Sequence, residues 1–280
     1  MKIIRYSIDE NWHYGILRSG GDIERLKRSP LEGLQVAGYI DSLASVRVLS
    51  PFYRPRVFGL GYNYRAHSQE VGKNTPTLPV LFMKPSTTVI GHEEGIVYPS
   101  DGENIHFEGE LTVIIGKEAR NVSESDALDY VFGYTCGNDV SDRILQRRES
   151  EFGCLLVGKG CDTFAPIGPV VETELDPSNL HLITRVNGEV RQNGSTADLV
   201  YGVPALIAYL SKYMTLLPGD HIMTGTPAGV GPIKPGDMIE VEIEGIGVLR
   251  NKVVATPNTA CRSSFAAREA RASFVSILPR

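Results

Sequence analysis

His106-Phe107-Glu108-Gly109-Glu110-Leu111-Thr112-Val113-Ile114-Ile115 reads as a β-strand, because β-branched and aromatic residues fill it. Side chains alternate across a pleat, so Phe107, Leu111, Val113 and Ile115 share one face while Glu108 and Glu110 fall together on the other. Two carboxylates so placed stand roughly 7 Å apart at Cα. Like charges that close raise one another's pKa unless a cation sits between them, and hard oxygen ligands without His or Cys suit Mg2+, Mn2+ or Ca2+. The same pattern also describes a half-exposed strand whose solvent face is acidic.

Outward from this stretch the chain is mostly strand and turn. Leu111 to Ile115, Val131 to Tyr134, Leu182 to Val186, Ile222 to Thr224 and Ile239 to Ile243 are strand-like runs. Asn187-Gly188 predicts a type I′ hairpin, and Pro218-Gly219-Asp220 and Pro235-Gly236-Asp237 predict further turns. Leu206, Ile207 and Leu210 recur at helical spacing behind Pro204, which predicts a helix over Val203 to Tyr213, and another follows Ser141. Residues 3 to 8 and 13 to 18 flank Asp9-Glu10-Asn11 as an opening hairpin. Pro51 and Pro55 then mark a boundary near residue 54. The expectation is a β-rich α+β protein with a small N-terminal β module at 1–54, a catalytic domain at 55–257 and a tail at 258–280. That tail carries Arg262, Arg268, Arg271 and Arg280 among Ala and Ser, reads as a frayed helix or disordered segment, and is assigned no function.

Composition excludes several classes of protein. Of the 280 residues 42% are hydrophobic and 22% charged, the profile of an ordinary globular chain. Lys and Arg number 28 against 33 Asp and Glu, a net charge of −5 that is opposite to the basic footprint phosphate backbones require, so no nucleic-acid partner is expected. Four cysteines without C-x-x-C spacing argue against a disulfide framework or a zinc site. The N-terminus turns polar too soon for a signal peptide, and no run approaches the roughly 18 apolar residues of a membrane span. A cytoplasmic protein without a membrane partner is expected.

A third oxygen ligand would strengthen the metal reading, and Asn138-Asp139-Val140-Ser141-Asp142 offers two candidates where an apolar run ends. Either Asp139 or Asp142 could instead cap the helix that starts here. Over Tyr62 to Lys73 a short helix is expected, with Asn63 as cap and Gly72 as stop, and it places His67 and Glu70 on one face at i, i+3. That is a base with an orienting carboxylate, or a surface pair worth a few tenths of a kcal/mol. Gly153 to Gly160 nearly spells a phosphate-binding loop, but Gly160 stands where a hydroxyl residue is needed and a poor helix start follows. Lys159 then reads as either an exposed lysine or a partly desolvated cationic donor reaching into a site. Thr224 to Gly231 lacks the dinucleotide-binding glycine order, which leaves an anion-binding loop with the Thr226 hydroxyl, or plain turn chemistry.

Taken together, Gly61-Tyr62-Asn63-Tyr64, His106 to Gly116, Gly133 to Arg143 with Gln146, Gly158 to Pro169, Asn187-Gly188 with Gln192, and Pro218 to Gly231 resemble the fumarylacetoacetate hydrolase family, in family order. The resemblance implies a mixed β-sandwich roll, usually a homodimer, holding one Mg2+ or Mn2+ through Glu108, Glu110 and Asp139. Asp142 stands where many members have alanine. The resemblance also implies that His67 and Glu70 are the dyad of a lid helix, that Lys159 is the catalytic lysine, and that Arg143, Gln146 and Thr226 contact a substrate carboxylate. The implied reaction is hydrolysis of the C–C bond of an acylpyruvate-type 2,4-dioxo acid through a metal-stabilised enolate. Oxaloacetate decarboxylation and isomerisation or tautomerisation of a 2-oxo-3-ene diacid use the same site, and a catalytically silent small-acid-binding protein is the reading from another class.

Overall fold

The computed structural model describes residues 1–256, so the segment read above as a tail, 258–280, lies outside them. The opening hairpin forms from β1 (Lys2–Ile8) and β2 (Asn11–Leu17), turning through Asp9 and Glu10, both at positive φ. β3 (Asp22–Leu26) and β4 (Val36–Ser42) continue this meander, and β5 (Arg47–Val48) returns to β1. Next come β6 (Val57–Gly61), α1 (Arg65–Glu70), β7 (Val80–Lys84), β8 (Val89–Ile90) and β9 (Ile96–Tyr98). β10 (Ile105–Phe107), β11 (Gly109–Ile115), β12 (Val131–Asn138) and β13 (Ser141–Asp142) lead into α2 (Arg143–Ser150), α3 (Val157–Gly160) and β14 (Ala165–Glu172). The chain then runs through β15 (His181–Val186), β16 (Glu189–Ser195), α4 (Val203–Tyr213), β17 (His221–Met223), β18 (Gly231–Pro232), β19 (Met238–Ile243) and β20 (Gly247–Ala255). Helix α4 has the bounds its spacing predicts, and Asn187 and Gly188 take φ of 54° and 82° in the β15–β16 turn, as a type I′ turn demands.

The strands form a large sheet in the order β4-β3-β2-β1-β14-β12-β11-β17-β6-β7, with β5 on β1 and β8 on β14. A second sheet runs β16-β15-β19-β20-β9, and a third, β13-β10-β18. The N-terminal strands extend the large sheet, because Lys2 and Ile3 of β1 pair with Glu172 and Val171 of β14. Between the large and second sheets lies the main core, where Leu111, Val113 and Ile115 meet Leu182, Val241, Ile243 and Leu249, joined by Leu206, Ile207 and Leu210 of α4. On the other face of β11, Ile114 packs with Tyr14, Ile16, Phe52 and Val171. Both faces of β11 are thus buried, and the half-exposed acidic strand does not form. No helix among the described residues is long and apolar enough to cross a membrane.

The strand expected over residues 106–115 is broken at Glu108. Before it, β10 pairs with β13 in the third sheet; after it, β11 pairs with β12 in the large sheet. The partner strand breaks at the same level, since Asp139 and Val140 lie between β12 and β13. Asp139 N–H donates to Glu108 O at 2.8 Å, and Glu108 N–H donates to Asn138 Oδ1 at 2.9 Å, which ties the two corners together. Gly109 lets the second sheet approach this corner closely, because a Cβ there would fall 2.0 Å from Thr184 Oγ1.

His221 on β17 is fully buried, with its ring edge toward Phe52 at 5.9 Å and its Nδ1 2.8 Å from Gly219 O. Its Nε2 has no hydrogen-bond partner among the described residues, and burial pushes its pKa down to about 4. The unfolded chain therefore takes up this proton from about pH 6.5 while the folded chain waits until about 4, so stability falls as pH drops through that window. At 1.4 kcal/mol per pKa unit the loss is roughly 3 kcal/mol. Urea denaturation at pH 7.5 and pH 4 is expected to show this difference shrinking in His221→Asn, and an unchanged pH slope in that variant would refute the assignment.

Candidate metal centre

The two corners place Glu108, Glu110 and Asp139 together in the interior. One ligand oxygen from each lies within 4.8 Å of the other two, and all three side chains are buried. Asp142, the competing aspartate, caps α2 instead by accepting the N–H groups of Ile144 at 2.9 Å and Leu145 at 3.0 Å. Three buried carboxylates repel one another and lose hydration, so cations must be brought to them.

Lys159 Nζ donates to Glu108 Oε2 at 2.7 Å and to Asp139 Oδ2 at 2.6 Å, and stands 4.9 Å from the Phe82 ring centroid. Of the two earlier readings of Lys159, the buried one holds. Arg143 donates to Glu108 Oε1 at 2.5 Å and to Gln146 Oε1 at 2.8 Å. Lys84, at the end of β7, donates to Asp139 Oδ1 at 2.5 Å and to Val140 O at 3.1 Å. Burial works against charge on both lysines. At Lys159 the neighbouring Asp139 and Glu108 outweigh it and raise the pKa, whereas at Lys84 burial prevails and lowers it. Glu108 is likewise opposed by burial but is held well below the usual carboxylate range by Lys159 and Arg143. Glu110 is pushed well above that range, first by burial and then by the charges of Asp139 and Glu108. Sequence reasoning missed Lys84; its signal was a lysine ending the apolar run Val80 to Met83 just before Pro85.

The second part of the site is α1 with the loop after β17. His67 is buried, and its Nδ1 lies 3.0 Å from Glu70 Oε2. Glu70 Oε1 accepts the Gly229 N–H at 2.9 Å, so the loop holds the carboxylate that holds the imidazole. Asn63 does not cap α1, which begins after Tyr64 with no side-chain cap. Its amide instead donates to Thr224 O at 2.7 Å and Tyr201 O at 3.0 Å and accepts from Tyr201 N–H at 2.9 Å, because these backbone groups, which no strand or helix ladder satisfies, compete for it more effectively than the first turn of a short helix. Gly72 does follow the helix end, at φ 68°. Thr226 gives its hydroxyl proton to Gly109 O at 2.8 Å and accepts from Gln192 Nε2 at 2.7 Å, and so braces the corner. Gln192 Oε1 also accepts the Gly109 N–H at 3.0 Å, a role that no local pattern signals.

These groups fit a divalent cation. The donors are all carboxylate oxygens, the set preferred by Mg2+, Mn2+ and Ca2+. Glu110 Oε2 accepts the Gly225 N–H at 2.7 Å, but its Oε1 is buried with no hydrogen-bond partner among the described residues, as a ligand atom aimed at a cation would be.

Residues 56–254 match the family described as fumarylacetoacetate (FAA) hydrolase C-terminal, and residues 1–51 match that described as Rv2993c-like, N-terminal. The 4-hydroxyphenylacetate degradation bifunctional isomerase/decarboxylase of Escherichia coli is 48% identical over 202 residues, which are 71% of this chain and 47% of that protein. The structure of 5-carboxymethyl-2-hydroxymuconate delta-isomerase from Mycobacterium smegmatis superposes with a TM-score of 0.86 at 39% identity, covering 91% of this chain and 100% of that one. Fumarylpyruvate hydrolase from Pseudomonas aeruginosa, solved in complex with Mn2+ and pyruvate, gives a TM-score of 0.69 at 35% identity, covering 72% of this chain and 90% of that one.

Removing one cation from the cluster tests how it is held together. Lys84→Met is expected to cost about 3–5 kcal/mol in urea denaturation, since it leaves one Asp139 oxygen buried without its charge partner. Lys84→Met combined with Asp139→Asn should recover part of that loss, and strictly additive single effects would show that the pair is not coupled.

Proposed function

Because the chain belongs to the fumarylacetoacetate hydrolase family, we propose that it is a divalent-cation-dependent hydrolase that cleaves the C–C bond of an acylpyruvate-type 2,4-dioxo acid. The observation that carries this reading is the His67–Glu70 pair at 3.0 Å, an oriented base beside a buried carboxylate cluster. A divalent cation held by Glu108, Glu110 and Asp139 would supply Lewis-acid stabilisation of the negative charge that develops on the 2-oxo oxygen.

His67 takes a proton from water at Nε2 while Glu70 accepts the Nδ1 proton and orients the ring. The activated water attacks C4, and the Lys159 ammonium supports the oxyanion that forms there. The C3–C4 bond then breaks with its electrons left on C3, and the proton held by His67 returns to that carbon. The products are pyruvate and an acid. Arg143, on the exposed side of the cluster with 17% of its side chain accessible, and Gln146 beside it orient the substrate carboxylate.

A second reading has its own support. The Escherichia coli and Mycobacterium smegmatis relatives carry isomerase and decarboxylase names, and the same base serves proton movement in a 2-oxo-3-ene diacid. Decarboxylation of oxaloacetate needs no attacking water and therefore no His67 base.

Pyruvate release from acylpyruvates and oxaloacetate, with isomerisation of a 2-oxo-3-ene diacid followed in parallel, separates these readings. Acylpyruvate cleavage is expected to be fastest, to vanish with EDTA and in Glu108→Ala, and to fall about 10²- to 10⁴-fold in His67→Ala. Oxaloacetate turnover alone, indifferent to His67→Ala, would identify a decarboxylase. Isomerisation alone would identify an isomerase, and normal Mn2+ binding without any turnover, a small-acid-binding protein.

A further inference from the structure

Lys159 reaches the cluster from α3, a single turn whose preceding residue, Leu156, supplies no side-chain cap. The N–H groups that open this turn are taken up by one carboxylate from the neighbouring helix. Glu149 Oε1 accepts from Val157 N–H at 2.6 Å, and Oε2 accepts from Gly158 N–H at 2.9 Å and Leu156 N–H at 3.3 Å. Its backbone carbonyl also accepts from Phe152 N–H at 3.0 Å and Cys154 N–H at 3.2 Å. Glu149 thus anchors both ends of the connection between α2 and α3. The side chains of that connection are largely exposed, Phe152, Leu156 and Val157 being 88%, 49% and 53% exposed.

The seating is also close. A Cβ on Gly158 would fall 2.6 Å from Gln146 N, so α3 lies directly against α2 and can be held by a side chain only six residues past Arg143. Along α2, Arg143 contacts Glu108, Gln146 contacts Arg143, and Glu149 holds the turn that bears Lys159. One helix therefore carries one cation of the cluster and orients another.

We infer that Glu149 is a positioning residue: by neutralising and ordering the first turn of α3 it fixes the Lys159 ammonium between Glu108 and Asp139. Its side chain accepts from the backbone of the turn and not from the cluster, so its effect passes through Lys159. The effect on rate rests on the hydrolase reading above, while the effect on Lys159 does not. Lys159 draws on Glu108 and Asp139, two of the three carboxylates that would hold a cation, so loosening it lessens competition for them.

The test uses the full chain with Glu149→Ala, Glu149→Gln, Lys159→Met and, as control, Glu151→Ala. Amide hydrogen exchange over residues 156–158 is expected to quicken at least tenfold in Glu149→Ala, by less in Glu149→Gln, and not in the control. Mn2+ should bind about threefold to tenfold more tightly to Glu149→Ala, in the same direction as Lys159→Met. With an acylpyruvate that the wild type cleaves, kcat should fall about 10- to 100-fold with KM within about twofold, partly rescued in Glu149→Gln. Unchanged exchange over 156–158 would overturn the proposal, as would faster exchange with wild-type Mn2+ affinity. If the wild type cleaves nothing, the hydrolase reading fails, and exchange together with Mn2+ affinity still decides the role of Glu149.

Discussion

Three carboxylates brought within 4.8 Å of one another in the interior are tolerated only where cations meet them, and most of the architecture follows from that electrostatic demand. Lys84, Lys159 and Arg143 reach the cluster from β7, α3 and α2, and each ends on a carboxylate oxygen. Coulomb attraction offsets the loss of hydration at Glu108 but not at Glu110, whose pKa is raised and whose Oε1 has no hydrogen-bond partner among the described residues.

The backbone makes the cluster available. Two paired strands change sheets at the same level, and the residues at the change, Glu108 and Asp139, turn their side chains toward a common space while their backbones bond to each other. A continuous strand would have left Glu108 and Glu110 side by side with no third ligand opposite. The corner is braced from behind by Gln192 and Thr226, which between them satisfy both backbone groups of Gly109. Residues whose types suggest catalysis can thus serve as framework, because a buried backbone N–H or C=O left unpaired costs as much as a lost hydrogen bond.

Around the corner the remaining parts are tied by short links. The loop after β17 gives its Gly225 N–H to Glu110 and its Gly229 N–H to Glu70, so one segment steadies both the carboxylate cluster and the base dyad. Asn63 joins that loop to the start of α1. Base and cluster therefore share a support, and motion of the loop would disturb both.

Periodicity and turn chemistry made much of the fold legible: the alternation of β11, the Asn187-Gly188 turn and the span of α4 are local consequences of side-chain shape and backbone φ preferences. Residue type and spacing likewise marked Glu108, Glu110, His67 and Glu70, since charge on a strand or helix face is read one segment at a time. The burial of β11 on both faces, the reassignment of Asn63, and the parts played by Lys84, Gln192 and Glu149 were decided only by tertiary structure. Each depends on which groups from distant segments compete for the same hydrogen bond or counter-charge, and that competition has no signature along the chain because its participants are neighbours only in space.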